Sequence, residues 1–304
     1  MAAVKSLPAR LSLYAAAIVI AIYSAFPIYW MFISSLREPT SLLSTVSDKL
    51  RPLIIGYRYT SSDLSFYNEG ILFPNLIVEN VNASIDSVLL PALSEQQDSR
   101  ENVKAMTSRA IQVSSYIMWP LMLGLLACSG PLVSFALGEE WLPCIPFVRI
   151  FCLYYGLFPI HTANLNAIKA VGRSDIFLKL EIIKRVLDLA FVGVTLFLGV
   201  KAMAVGLLIE GLLCLLINSW PNRKLCAYPF EEQLRDILPS FLLSAAMGAA
   251  VYALTALPLG DLLTLIIQVA LGAVLYFGGS FLLKLKPFLY LLGIAKTMLH
   301  RMKN

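Results

Sequence analysis

Four ionisable side chains, Glu181, Lys184, Arg185 and Asp188, stand at offsets 0, 3, 4 and 7 inside an apolar run. They therefore share one helical face, and the spacing pairs Glu181 with Arg185 and Lys184 with Asp188 at i,i+4. A second set, Asn75, Glu79, Asn82 and Asp86, recurs at intervals of four, three and four on another apolar stretch. Arg149, His161 and Asn164 flank Pro159 in a third, and Glu210 sits alone between Gly206 and Gly211 in a fourth. Charged groups in apolar helices bind or pass polar cargo, or hold helices together. Bond-making chemistry has no foothold: the chain has no GxSxG, no Gly-rich phosphate loop with a lysine and no HExxH. His161 and His300 lie far apart, and the five cysteines show no CxxC spacing. Neither a metal site, a cofactor nor a disulfide framework is expected.

Each group admits two readings. The Asn75 to Asp86 stripe is either the wall of a hydrated cavity or a hydrogen-bonded seam between helices, because a carboxylate facing lipid costs several kcal/mol, about 2.5–3.5 on insertion scales. His161 and Asn164 either line a cavity or bind the backbone carbonyl that Pro159 frees. Arg149 keeps its charge, so it needs an anion, water or the outer headgroups. Lys184 and Arg185 can reach the cytoplasmic interface. Asp188, about 18 Å along the helix from Ile176, lies near the midplane and needs a neighbouring helix or a hydrated cavity. Glu210 is either a packing residue or a coupling site.

The elements that carry these groups follow from composition. Of 304 residues, 58% are hydrophobic and only 14% charged, far below the roughly 25% charged residues of soluble domains. The apolar runs exceed barrel-strand length, which predicts an all-α, polytopic transmembrane bundle. Leu11 to Leu36 is the first run. The others are Ile71 to Leu93, Ala110 to Leu137, Pro146 to Ala170, Ile176 to Leu198, Ala202 to Trp220, Ile237 to Leu257 and Leu262 to Leu285, giving about eight spans. Residues 41–70, with Asp48, Lys49, Arg51, Pro52 and Arg58, read as an interfacial or partly inserted segment. The connections holding Arg100, Lys104, Arg109, Lys169, Arg173, Arg223, Lys224 and Arg235, with the tail, carry 12 Lys and Arg, against five on the other side. The positive-inside bias puts the first set and both termini in the cytoplasm. The basic tail 286–304 is expected on the anionic inner leaflet. The net charge of +5 is spread over these connections, so nucleic acid is not an expected partner.

Four ordered blocks resemble the carboxyl-terminal half of bacterial Wzx-like polysaccharide and lipopolysaccharide flippases, of the multidrug/oligosaccharidyl-lipid/polysaccharide superfamily. They are LIIGYRYTSSDLSFYNEG, VLLPALSEQQDSRENVK, WPLMLGLLACSGPLVSFALGEEWLPCIPFVRIFCLYYGL and KAVGRSDIFLKLEIIKRVLDL. The resemblance runs from about residue 42 to 304. It implies one six-helix lobe plus the last two helices of a flippase, placed in the bacterial inner membrane. It also implies alternating access that exports an undecaprenyl-pyrophosphate-linked oligosaccharide for surface polysaccharide biosynthesis. On that implication Glu79, Asn82, Asp86, Arg149, His161, Asn164, Lys184, Arg185, Asp188 and Glu210 are candidates for a substrate cavity, with membrane lipids around them.

Residues 1–40, with SLYAAAIVIAIYSAFPIYWMFISSLREP, resemble instead the first helix of sugar permeases of ATP-binding-cassette importers. Four segments are expected: a helix of different origin over 1–40, the segment 41–70, a seven-helix membrane domain over 71–285 and the tail 286–304. A flippase needs a first lobe, so the chain is expected to be incomplete, pairing with itself or with a missing amino-terminal half. The alternative is a fragment or scaffold that transports nothing. An importer permease is less favoured, because the cytoplasmic coupling loop of that family is missing.

Overall fold

The computed structural model describes residues 50–97, 99–256 and 260–303. The expected first span, 11–36, lies outside the described residues. Those described form helices and turns, with no strand among them. The helices are α1 (50–58), α2 (Ser61–Glu95), α3 (Arg100–Ala136), α4 (Ile145–Gly156), α5 (Phe158–Ala170), α6 (Ser174–Thr195), α7 (Val200–Ser219), α8 (Asn222–Leu225), α9 (Phe230–Ala253), α10 (Asp261–Leu282) and α11 (Lys286–Lys303). A 3-10 segment, Glu139–Cys144, leads into α4.

Local chemistry sets the boundaries. Thr60 caps α2 reciprocally: its hydroxyl accepts from the Asp63 amide at 3.1 Å, and Asp63 accepts from the Thr60 amide at 3.3 Å. Ser99 caps α3 by accepting from the Asn102 amide. The turn between α6 and α7 closes on Gly199 at φ 101°, a backbone region open to glycine at little cost. With 35 and 37 residues, α2 and α3 are about 52 and 55 Å long at 1.5 Å per residue, beyond the roughly 30 Å apolar core of a bilayer. Their ends stand clear of it.

Six helical stretches among the described residues are long and apolar enough to cross a membrane, with α4 and α5 forming one of them across a break at Leu157. α6 has crossing length too but carries five charged residues between Lys179 and Asp188. Six of the expected eight spans are thus found among the described residues. α3 is the central post, contacting α2, α4, α5, α9, α10 and α11. Trp119 on it packs against Gly156, where an added Cβ would lie 2.7 Å from the indole. The outward surface is apolar: Leu76, Ile182, Val186, Leu242, Val269 and Phe281 are all exposed. Such a surface suits lipid as solvent.

Candidate functional site: charged groups inside the bundle

α6 is an amphipathic helix turned inside out. Its apolar residues Ile182, Ile183, Val186 and Leu189 face outward, while Glu181, Lys184 and Arg185 are half-buried and Asp188 is buried. The charged face looks toward α7 and α5. Glu210 and Cys214 of α7 lie within electrostatic reach of it, and so does His161 of α5.

At the deep end of this face the Arg51 guanidinium of α1 stands between two carboxylates. Its Nη2 donates to Asp188 Oδ1 of α6 and to Glu210 Oε2 of α7, the latter at 2.5 Å. All three residues are at most 8% exposed. One fixed positive charge and two carboxylates are thus held together out of water, and Arg51 Nη1 is buried without a hydrogen-bond partner among the described residues. α1 is aligned for this by Tyr59 at its far end. The Tyr59 hydroxyl donates to the Leu196 carbonyl and accepts from the Gly199 amide, at 2.5 and 3.1 Å, at the turn that ends α6. Ile55, fully buried against Tyr67, Phe151 and Met203, seats the helix between α2, α4 and α7.

Arg51 is the group that sequence reasoning missed. The sequence groups it with the basic residues of an interfacial or partly inserted segment, and the structure buries its side chain. The signal was the need of Asp188, deep in its span, for a partner. The expected Lys184–Asp188 pair is corrected too: Lys184 donates to Glu181 Oε1 at 2.5 Å, and Arg185 lies 3.7 Å from the same carboxylate. Helical side chains lean toward the helix N-terminus, which carries Lys184 back to Glu181 and away from the short Asp188 side chain. The glycines beside Glu210 allow close approach. A Cβ at Gly206 would meet Thr195 of α6 at 2.8 Å, and one at Gly211 would meet Tyr154 of α4 at 2.9 Å.

The remaining predicted residues fall into separate contacts. On α2, Asn75 donates to Glu79 at 2.6 Å, and Asp86 accepts from Asn166 of α5 at 2.7 Å. Glu79 and Asp86 are exposed, while Asn82 is half-buried and its Oδ1 has no hydrogen-bond partner. Arg149 donates through Nε to Ser129 Oγ of α3 at 3.0 Å and lies 5.4 Å over the Tyr252 ring of α9. His161 shares a 3.0 Å contact with Asn218 of α7. Asn164 donates to Gln233 of α9 and to the Ile160 carbonyl, and accepts from Asn222 of α8. These partners show that His161 and Asn164 join helices, where repair of the proline break was one expectation. The break falls at Leu157, two residues before Pro159, because proline fits the first turn of the new helix α5.

The lipid II flippase MurJ in its inward closed conformation shares the fold: the TM-score is 0.65 at 19% identity, over 86% of this chain and 55% of that one. A family model described as polysaccharide biosynthesis protein matches residues 12–146. The lipopolysaccharide biosynthesis protein WzxC of Escherichia coli (strain K12) is 28% identical over half of this chain and 30% of its own length. The teichuronic acid biosynthesis protein TuaB of Bacillus subtilis (strain 168) is 22% identical over 77% of this chain and 50% of its own length. The succinoglycan biosynthesis transport protein ExoT of Rhizobium meliloti (strain 1021) is 23% identical over 74% of this chain and 47% of its own length. In fold the chain is thus similar to a lipid II flippase, and in sequence to proteins of polysaccharide biosynthesis and transport. It spans between 30% and 50% of the length of these three relatives.

Proposed function

We propose that this chain is one lobe of a transporter that carries a lipid-linked oligosaccharide from the inner to the outer leaflet of a bacterial inner membrane. The role is transport, not catalysis, and both termini lie in the cytoplasm. Alternating access takes place between two lobes, and this chain supplies one of them. The cargo class comes from the relatives, whose names tie them to lipopolysaccharide, teichuronic acid, succinoglycan and lipid II.

One observation on this chain carries the reading. α2 places Glu79, Asn82 and Asp86 within its membrane window, yet only 17% of that window is buried, against 22% or more in the other five spanning stretches. Carboxylates left uncovered at that depth are not stable against hydrocarbon, so the face borders a hydrated path between lobes. A scaffold reading draws on the Asn164, Asn222, Gln233 and Ser219 network, which is buried and ties α5, α7, α8 and α9 into a rigid unit. That network fits the rigid half of a rocking pair equally well.

Deletion of the gene in its host tests the proposal. Surface polysaccharide is expected to fall, with the lipid-linked precursor accumulating on the cytoplasmic leaflet, and the intact gene restores both. Normal surface polysaccharide and no precursor accumulation after deletion would overturn it.

A further inference from the structure

The uncovered face of α2 has a chemistry of its own. Between Ile71 and Leu93 the helix carries no Lys, Arg or His. Its polar groups include acceptors: the Glu79 and Asp86 carboxylates are exposed, and Asn82 Oδ1 is buried beneath the surface without a partner. Asn75 and Asn166 spend amide donors on those two carboxylates, at 2.6 and 2.7 Å, which fixes their orientation and leaves further lone pairs open. Flat side chains stand alongside. Tyr155 and Phe158, at the junction of α4 and α5, are half-buried against the cluster that contains Val78 of α2, with ring centroids 5.1 Å apart.

A surface rich in acceptors requires a ligand rich in donors. Ionised phosphate and diphosphate oxygens only accept, and two carboxylates repel them. Hydroxyl groups donate, and a sugar ring also offers an apolar C–H face that packs on an aromatic ring. We propose that Asn75, Glu79, Asn82 and Asp86, with Tyr155 and Phe158 beside them, form the binding face for the hydroxyl-rich saccharide of the cargo, separate from whatever holds its anionic linker. This assignment rests on the transport reading above and gives α2 the part of the cargo that differs between polysaccharides.

The full chain, purified in lipid nanodiscs, is titrated with neutral hexose, N-acetylhexosamine and deoxyhexose oligomers that carry neither lipid nor phosphate. At least one is expected to bind, with affinity reduced tenfold or more by Glu79→Gln and by Asn82→Ala, and with no competition from inorganic pyrophosphate. Asn82→Ala takes no protein hydrogen bond away from Oδ1, so its thermal midpoint and elution volume should match the parent and separate lost binding from lost folding. Absence of binding by every neutral oligomer, binding indifferent to both substitutions, or displacement by pyrophosphate would each overturn the assignment. The transport reading fails differently, through normal surface polysaccharide in the deletion strain. A polyprenyl-diphosphate oligosaccharide that binds but is displaced by pyrophosphate alone would leave transport standing and remove the saccharide from α2.

Discussion

Arg51 cannot shed its proton, so its burial commits the chain to two buried carboxylates. Removing one member of such a group leaves the others uncompensated, at about 3–5 kcal/mol. Arg51→Met is therefore expected to lower the thermal midpoint of the detergent-solubilised protein sharply. Adding Asp188→Asn and Glu210→Gln should restore much of the loss, because the surviving groups are then neutral. Little of this cluster was legible beforehand. The sequence shows that Asp188 is deep and offers Lys184 one turn away, but its actual partner lies 137 residues away, beyond any helical spacing rule. The cysteines give a second test at this scale. All five are buried, and burial pushes the Cys226 thiol, in the connection before α9, up to about 11. At pH 8 about one molecule in a thousand then carries the reactive thiolate there. Maleimide should leave the native protein unlabelled and react with five thiols after denaturation, as counted by intact mass.

Among the elements, the spans were the most legible feature, since uninterrupted apolar runs leave few alternatives in a bilayer. The charged face of α6 was also readable from offsets alone. Helix ends were less so: α2 begins at Ser61, ten residues before the apolar run, because its capping box sits in polar sequence. The packing of α2 on α4 depends on Gly70, where an added Cβ would lie 2.4 Å from Phe147 Cβ and 3.2 Å from its backbone carbonyl carbon. No rotamer relieves a clash with backbone. Gly70→Ala should pry the two helices apart and cost about 1–3 kcal/mol. The measurement is the midpoint of denaturant-induced unfolding in mixed micelles, and an unchanged midpoint would refute this packing.

For the whole molecule, two kinds of helix surface are distinguished. On the transport proposal the outward residues of α6 face lipid, and the polar face of α2 faces water. Single cysteines placed in the native protein separate them, since the five natural thiols are buried. Glu79→Cys and Asp86→Cys should react with a membrane-impermeant charged thiosulfonate, while Ile182→Cys and Val186→Cys should not. Equal labelling at all four positions would abolish the distinction. The all-helical membrane class was legible at this scale because composition and run length decide it. Which polar face is hydrated was not, because a periodic polar stripe looks the same in sequence whether it lines water or a dry seam.

The contacts of Arg51 also bear on how the chain is made. Its partners emerge from the ribosome 137 and 159 residues later, roughly 7–32 s at bacterial rates of about 5–20 residues per second. Throughout that interval a guanidinium destined for the membrane interior has no counter-charge to meet. α1 therefore gains its buried counter-charges only once α6 and α7 have been made.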